Sequence, residues 1–305
     1  MINCQNMKVP FKYWILAVRP WAFPASTMPV VVSVSYVFYH QQSLMQIDWW
    51  YGLLALIGVM FLHAGGNLIS DYYDYKYGID QKDSFGGERL LVQEIFQPST
   101  YLWYGLTLVA IASAIGFYLT YHTGINLLWI GLSGVLGALF YYTLKARALG
   151  DLLIFILYGP MVGLGTAYVL TSQLMWEVLL LNVPVAMLVV NILHANNTRD
   201  IQRDSQAHIK TQAMLLGIKG SKIQYVVLAL GSYLMVILMN ALGMIHPITL
   251  ITLISVPMAI RNIKLMMKTT AETPEVIKDL DGMSAQLVMT FSMLFTILNV
   301  IAYYL

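Results

Sequence analysis

Residues 51–80 read YGLLALIGVMFLHAGGNLISDYYDYKYGID. The first two thirds form an apolar run of the length that crosses hydrocarbon as a helix, about 17 to 25 residues. That run ends in carboxylates: Asn67, Asp71 and Asp74 stand at i, i+4 and i+7, a spacing that puts all three on one helical face. A spanning helix and a cluster of oxygen donors are therefore one continuous element. The same length filter finds nine apolar runs in the whole chain, near 14–38, 51–72, 101–121, 124–143, 152–172, 176–196, 223–243, 246–261 and 285–304. Composition agrees, since 58% of the 305 residues are apolar and 10% are charged, against roughly 25% charged in a soluble domain. The expected fold class is an all-α membrane protein of nine transmembrane helices, residues 1–305 forming one domain in the lipid bilayer.

Short turns and longer polar loops alternate between the runs, as they must if each kind belongs to one side. All 17 Lys and Arg residues fall in the N-terminal segment up to Arg19, in the loops at 73–100, 144–151, 197–222 and 262–284, or, for Arg261, at the end of the run that leads into the last of them. By the positive-inside rule the N-terminus and these loops are cytosolic and the C-terminus is outside, which suits a multi-pass protein of the inner (plasma) membrane. Of the acidic residues only Asp48 and Glu177 fall outside, so the cytosolic face gathers both signs of charge. Met1 to Pro10 lead into the first run without a small-residue cleavage site, the pattern of a first spanning helix and not of a removed signal. Cys4 is the single cysteine, which excludes a disulfide or thiolate-metal framework. The net charge of +2 and the lack of a dense basic run exclude nucleic acid as a partner, and no required protein partner is evident.

A second oxygen-rich stripe, Asn196-Asn197-Thr198-Arg199-Asp200-Ile-Gln-Arg203-Asp204, repeats Asn196, Asp200 and Asp204 at intervals of four where the sixth run ends. Solvated helix ends would account for one such stripe. Two stripes, each beginning inside an apolar run where an aspartate costs roughly 2.5–3.5 kcal/mol at the centre, point to function. All-oxygen sites suit hard cations, and magnesium is bound through one or two carboxylates together with substrate phosphates. Facing stripes with bases nearby describe a clamp for a metal-bound diphosphate. The bases on offer are Lys145, Arg147, Arg199, Arg203 and Lys210, and Lys145 and Arg199 lead because each lies close to an aspartate, Asp151 in the case of Lys145.

These residues resemble the UbiA-type intramembrane prenyltransferases, and the first motif is most similar to the branch that prenylates 1,4-dihydroxy-2-naphthoate in menaquinone synthesis. The shared pattern runs Gly66-Asn67, Asp71-Tyr72-Tyr73-Asp74, Gly78, Asp80, Gly86-Gly87 and Val92, with Arg19-Pro20 before it and Lys145, Ala148 to Asp151, Asn196 to Asp204 and Lys210-Thr211 after it. It extends from about residue 13 to 220. Ser70 departs from it, standing where many members have asparagine, and Gly78 stands where other branches place a further aspartate, which argues against the 4-hydroxybenzoate branch.

The resemblance implies magnesium held by Asn67, Asp71, Asp74, Asn197, Asp200 and Asp204, the four aspartates being catalytic, and a diphosphate gripped by Lys145, Arg199 and Lys210. It implies a polyprenyl diphosphate donor and an aromatic quinone precursor as acceptor, whose carboxylate Arg19 or Arg147 would anchor. Tyr72, Tyr141 and Tyr142 are candidates to face the allylic cation with their rings. His63 and His194 read as hydrogen-bonded packing residues. Two other classes stay in view. An ion-coupled transporter would place carboxylates near helix centres and break its helices in pairs, whereas here the aspartates gather at one face. A phosphatidyltransferase would need an aspartate pair leading into Gly and Ala-Arg, which is absent. Within the prenyltransferases another acceptor, such as homogentisate, a chlorin, haem or a lipid head, stays open.

Overall fold

The computed structural model describes residues 9–43, 46–80, 89–206 and 209–305; Cys4 and the Gly86-Gly87 segment lie outside them. Among the described residues the regular structure is helical apart from a single parallel bridge between Arg147 and Lys210. The helices are α1 (Phe11–Ala17), α2 (Pro24–Tyr39), α3 (Trp49–Lys76), α4 (Pro98–Thr123), α5 (Asn126–Lys145), α6 (Gly150–Ile156), α7 (Val162–Thr171), α8 (Glu177–Leu181), α9 (Val183–Arg199), α10 (Ile201–Gln206), α11 (Gln212–Ala241), α12 (Val256–Lys268) and α13 (Leu280–Ala302).

Seven helical segments are long and apolar enough to cross a bilayer, or eight if α1 and α2 form one span bent by 57°. Nine are expected from the sequence. The difference is the run at 176–196, which the structure divides at Asn182 into α8 and α9. Pro184, at the start of α9, has no N–H to carry a continuous ladder through the break. Asn182 fills the gap, its buried amide donating to Ser33 Oγ at 2.9 Å and to the Val178 carbonyl at 3.1 Å. With 17 residues, α9 alone sits at the short limit of a span. Other departures have equally local causes. Pro160 lies in a π turn, Leu157–Met161, that joins α6 to α7, and a 3-10 segment, Pro247–Ser255, precedes α12. The polar stretches 197–222 and 262–284, read as loops, contain α10, the start of α11 and the end of α12.

The core lies among α2, α7, α9, α11 and α13, where Val32, Leu170, Leu188, Val236, Met239, Phe291 and Phe295 are fully buried. On the outer face Trp103, Trp129, Phe140, Ile223 and Leu234 are exposed. So much apolar surface in water would be an aggregation patch; in lipid it is the belt that a multi-pass membrane protein requires. The 28 residues of α3 extend about 42 Å at 1.5 Å per residue, beyond the roughly 30 Å of hydrocarbon. Its last turns, which bear Asp71 and Asp74, can therefore emerge at the membrane face.

Candidate active site

Asn67, Asp71 and Asp74 line one side of a cavity of 760 Å³. Gly78, at φ +70°, ends α3 in the left-handed conformation that lacks a steric cost only for glycine. The turn lets the Asp74 carbonyl accept from the N–H groups of Ile79 and Asp80, at 2.8 and 3.3 Å, and folds Asp80 back to Arg89, 3.2 Å away. Burial pushes the Asp80 carboxyl up to about 6, against the pull of Arg89. Arg19, itself at φ 52°, reaches down from the α1–α2 bend to donate from Nη2 to Asp71 Oδ1 at 2.7 Å, and Tyr101 of α4 donates to Asp71 Oδ2 at 3.2 Å. A positive φ at a non-glycine residue is strained and gathers at functional sites. Lys145 approaches Asp74 Oδ2 to 3.6 Å, while Asp74 Oδ1 is buried without a hydrogen-bond partner among the described residues.

The second stripe faces the first across the cavity. Asp200 caps α9, and the helical path continues because Asp200 N–H bonds the Asn196 carbonyl and Asp204 N–H bonds the Asp200 carbonyl, at 3.0 and 2.8 Å. Asn196, Asp200 and Asp204 thereby share one side and all line the cavity. Arg199 grips Asp200 through Nε and Nη2 at 3.1 and 2.9 Å and donates to the Lys278 carbonyl at 2.9 Å. Arg203 also approaches Asp200, to 3.7 Å. Burial pushes the Asp204 carboxyl up to about 6, with Lys145 opposing and Asp200 adding to the rise.

Not every candidate lies on the cavity wall. Arg147 and Lys210 are exposed on the bridged loops and do not line it. Of the three tyrosines only Tyr141 lines it: Tyr142 stacks on Tyr73 and Tyr77 at 5.3 Å, and Tyr72 packs against the cluster around Phe96. Asp151 does not pair with Lys145. It is buried and accepts from His194 Nδ1 at 2.7 Å, Gln224 Nε2 at 2.9 Å and Asn197 Nδ2 at 3.3 Å. Asn197 lines the cavity from this anchored position, whereas the buried carbonyl oxygen of its neighbour Asn196 has no partner. The sequence reading did not single out Asn196 as a ligand, and it missed Tyr101, Arg89 with Asp80, and Lys278 just before α13 and Asp281 in its first turn. The last two lie where the family resemblance fades.

Beyond the charged end the wall is apolar, with Ala55, Val59, Leu62, Ala112, Ile115, Phe117, Ile130 and Val135. Among the described residues no three His, Cys, Asp or Glu side chains are grouped to hold a metal alone. Magnesium fits nevertheless: Asp74 Oδ1 and Asn196 Oδ1 are buried acceptors that lack a donor, and magnesium needs few protein ligands when phosphate oxygens complete its shell.

Comparison with known proteins agrees with this architecture. The chain is 35% identical over 228 residues to the "UbiA prenyltransferase domain-containing protein 1" of Danio rerio, covering 73% of this chain and 66% of that protein. Its Drosophila melanogaster homolog is 32% identical over 229 residues, covering 73% and 63%. The chain thus spans about two thirds of the length of the curated relatives it matches. Among solved structures, a UbiA homolog from Aeropyrum pernix K1 superposes with a TM-score of 0.69 at 16% identity, covering 96% of this chain and 99% of that one. A UbiA homolog from Archaeoglobus fulgidus bound to DMAPP and Mg2+ superposes with a TM-score of 0.56 at 12% identity, covering 93% and 99%; both likenesses concern the fold. The family model for UbiA prenyltransferases matches residues 14–278, and this multi-pass membrane chain belongs to the UbiA prenyltransferase family.

Proposed function

We propose that the chain transfers a polyprenyl group from a polyprenyl diphosphate to 1,4-dihydroxy-2-naphthoate, with magnesium as cofactor and loss of the acceptor carboxylate as carbon dioxide. One observation carries the reading: a single cavity has a charged end of facing carboxylates, amides and cations and a long apolar body. A prenyl diphosphate has the same two halves. Asp71 and Ala55 both line the cavity and lie 16 residues apart on α3, about 24 Å along the helix, so the apolar wall suits a tail of several isoprene units.

Asn67, Asp71, Asp74, Asn196, Asn197, Asp200 and Asp204 are the residues that would hold magnesium. Bound there, the metal supplies Lewis-acid neutralisation of the departing diphosphate. Lys145 and Arg199 set positive charge beside the carboxylates that face the diphosphate, and in the dry cavity that charge is worth more than in water. Tyr141 offers its ring to a cationic prenyl carbon. Among the described residues Arg19 makes one side-chain hydrogen bond, through Nη2, which leaves the rest of a planar fork suited to a carboxylate. Arg19 therefore takes the acceptor-anchoring role in preference to the exposed Arg147. The acceptor assignment rests on the Asp71-Tyr72-Tyr73-Asp74 motif with Gly78. Incubation with magnesium, a polyprenyl diphosphate and either 1,4-dihydroxy-2-naphthoate or 4-hydroxybenzoate is expected to release carbon dioxide in step with prenylation of the naphthoate alone. Prenylation of 4-hydroxybenzoate alone, its carboxylate retained, would falsify the assignment.

In the same reading α8 and α9 together complete a ninth span, and the charged end of the cavity opens on the cytosol. Supporting it is the placement of every Lys and Arg on alternate loops. A cysteine at exposed Gln206 is expected to react with an impermeant thiol reagent only from the cytosol, and one at exposed Gln42 only from outside. Reaction of both from one side would end the nine-span topology.

A further inference from the structure

We infer that His63 is a catalytic residue of this reaction, the base that takes the hydroxyl proton of the aromatic acceptor; the inference rests on the acceptor chemistry proposed above. His63 lies on α3 eight residues before Asp71, about 12 Å along the helix, and lines the same cavity beyond Asn67. It is 8% exposed. Its ring is fixed by an edge contact with Tyr158 at 5.1 Å and a tilted one with Phe23 at 5.9 Å.

The hydrogen bonds around the ring specify which nitrogen is free. Nδ1 lies 2.9 Å from Ser26 Oγ, and Ser26 Oγ lies 3.2 Å from the Phe23 carbonyl. A carbonyl can only accept, so the Ser26 hydroxyl donates to Phe23 and Nδ1–H donates to Ser26. Only this assignment satisfies both contacts. Nε2 is then the nitrogen with the lone pair. It has no hydrogen-bond partner among the described residues, and it is not one of the buried atoms sealed from open space. His63 lines the cavity, and Nε2 is the polar atom that its ring can offer there. Packing alone does not call for a free basic nitrogen there.

In the step this supports, the acceptor hydroxyl gives its proton to Nε2 as the ring carbon bearing the carboxylate bonds to the first prenyl carbon. The prenyl C–O bond breaks, and its electron pair leaves with the diphosphate. The resulting keto ring sheds carbon dioxide, and the electrons of that bond restore the ring as an oxyanion. The oxyanion recovers the proton from Nε2. His63 ends as it began, and no outside oxidant or acid is needed.

The test uses the full chain in lipid nanodiscs. His63→Asn keeps a donor near Ser26 but has no basic nitrogen. It is expected to lower kcat about 100-fold or more with the donor's KM unchanged, and the loss is expected to shrink as the pH is raised toward the acceptor hydroxyl's own ionisation, where no base is needed. Unchanged kcat, or an equal loss at every pH, overturns the base. Lack of turnover by the wild-type protein with any aromatic acceptor overturns the acceptor chemistry itself. Binding of a non-hydrolysable prenyl diphosphate analogue checks folding. If His63→Asn fails that check, Ser26→Ala provides the second variant: with Nδ1 unheld, kcat should drop about tenfold and recover in the same way as the pH is raised, and an unaltered kcat there counts against the assignment.

Discussion

Asp74→Asn is expected to reduce turnover at least about 100-fold in a protein that still folds and inserts. Asp74 is the carboxylate whose geometry is least explained by structure alone: one oxygen meets Lys145 at 3.6 Å and the other is buried without a donor. A buried acceptor left unpaired costs about 1–3 kcal/mol, and a cation completes it where no N–H does. Asparagine keeps the shape, loses the charge and places an amide where a cation should bind. The effect of a lost metal ligand at a diphosphate site is several kcal/mol, and each 1.36 kcal/mol is tenfold in rate. Asp200→Asn tests the opposite wall by the same measurement, with one difference. Arg199 and Arg203 both lean on Asp200, so that variant also removes the negative charge that both of them approach. Turnover near the wild-type level in either variant, with magnesium saturating and the protein monodisperse, would remove the clamp.

How much of this site could be read in the sequence follows from what helical periodicity encodes. Asn67, Asp71 and Asp74 are one face because i, i+4 and i+7 are one face in any helix, and the structure puts all three on the cavity. The stripe Asn196, Asp200, Asp204 was equally legible, although α9 ends within it, because the turn at Asp200 keeps helical hydrogen bonds. Periodicity does not fix the phase between neighbours, however. Asn196 and Asn197 differ by 100° of rotation, and only the contact with Asp151 decides that Asn197 is tethered while Asn196 Oδ1 is free of protein donors. The pairs Arg19–Asp71 and Lys145–Asp74 join residues 52 and 71 positions apart, beyond any local signal. Tyr72 and Tyr142 carried the right chemistry on the wrong faces, and Lys145 has Asp74 as its partner because the nearby Asp151 is occupied elsewhere. The broken run at 176–196 was missed because hydropathy counts apolar residues and is blind to the break that Asn182 fills with hydrogen bonds.

Asp151→Ala is expected to lower stability by about 3–5 kcal/mol although Asp151 does not line the cavity. The carboxylate joins α6, α9 and α11 by accepting from His194, Asn197 and Gln224 at 2.7 to 3.3 Å, and it is 3% exposed. His194 is fully buried and its other nitrogen already bonds the Ser221 carbonyl at 3.2 Å. Removing the acceptor therefore strands two buried donors, His194 and Asn197, together with the half-buried Gln224 amide. Single interhelical hydrogen bonds within membranes average only about 0.6 kcal/mol, so a loss of a few tenths would mean that the hub acts as separate weak bonds. The measurement is thermal unfolding in detergent, where a fall in Tm on the order of 10 °C is expected. The pair Asp151→Leu with His194→Leu, which removes acceptor and main donor together, should recover part of that fall, since replacing both partners by apolar groups can be nearly neutral. If the double variant is as unstable as the single one, the cost lies in lost volume and the hydrogen-bonded hub is not what holds α9 in place. If it recovers stability but not turnover, the hub's part in the reaction is to hold Asn197 at the cavity wall.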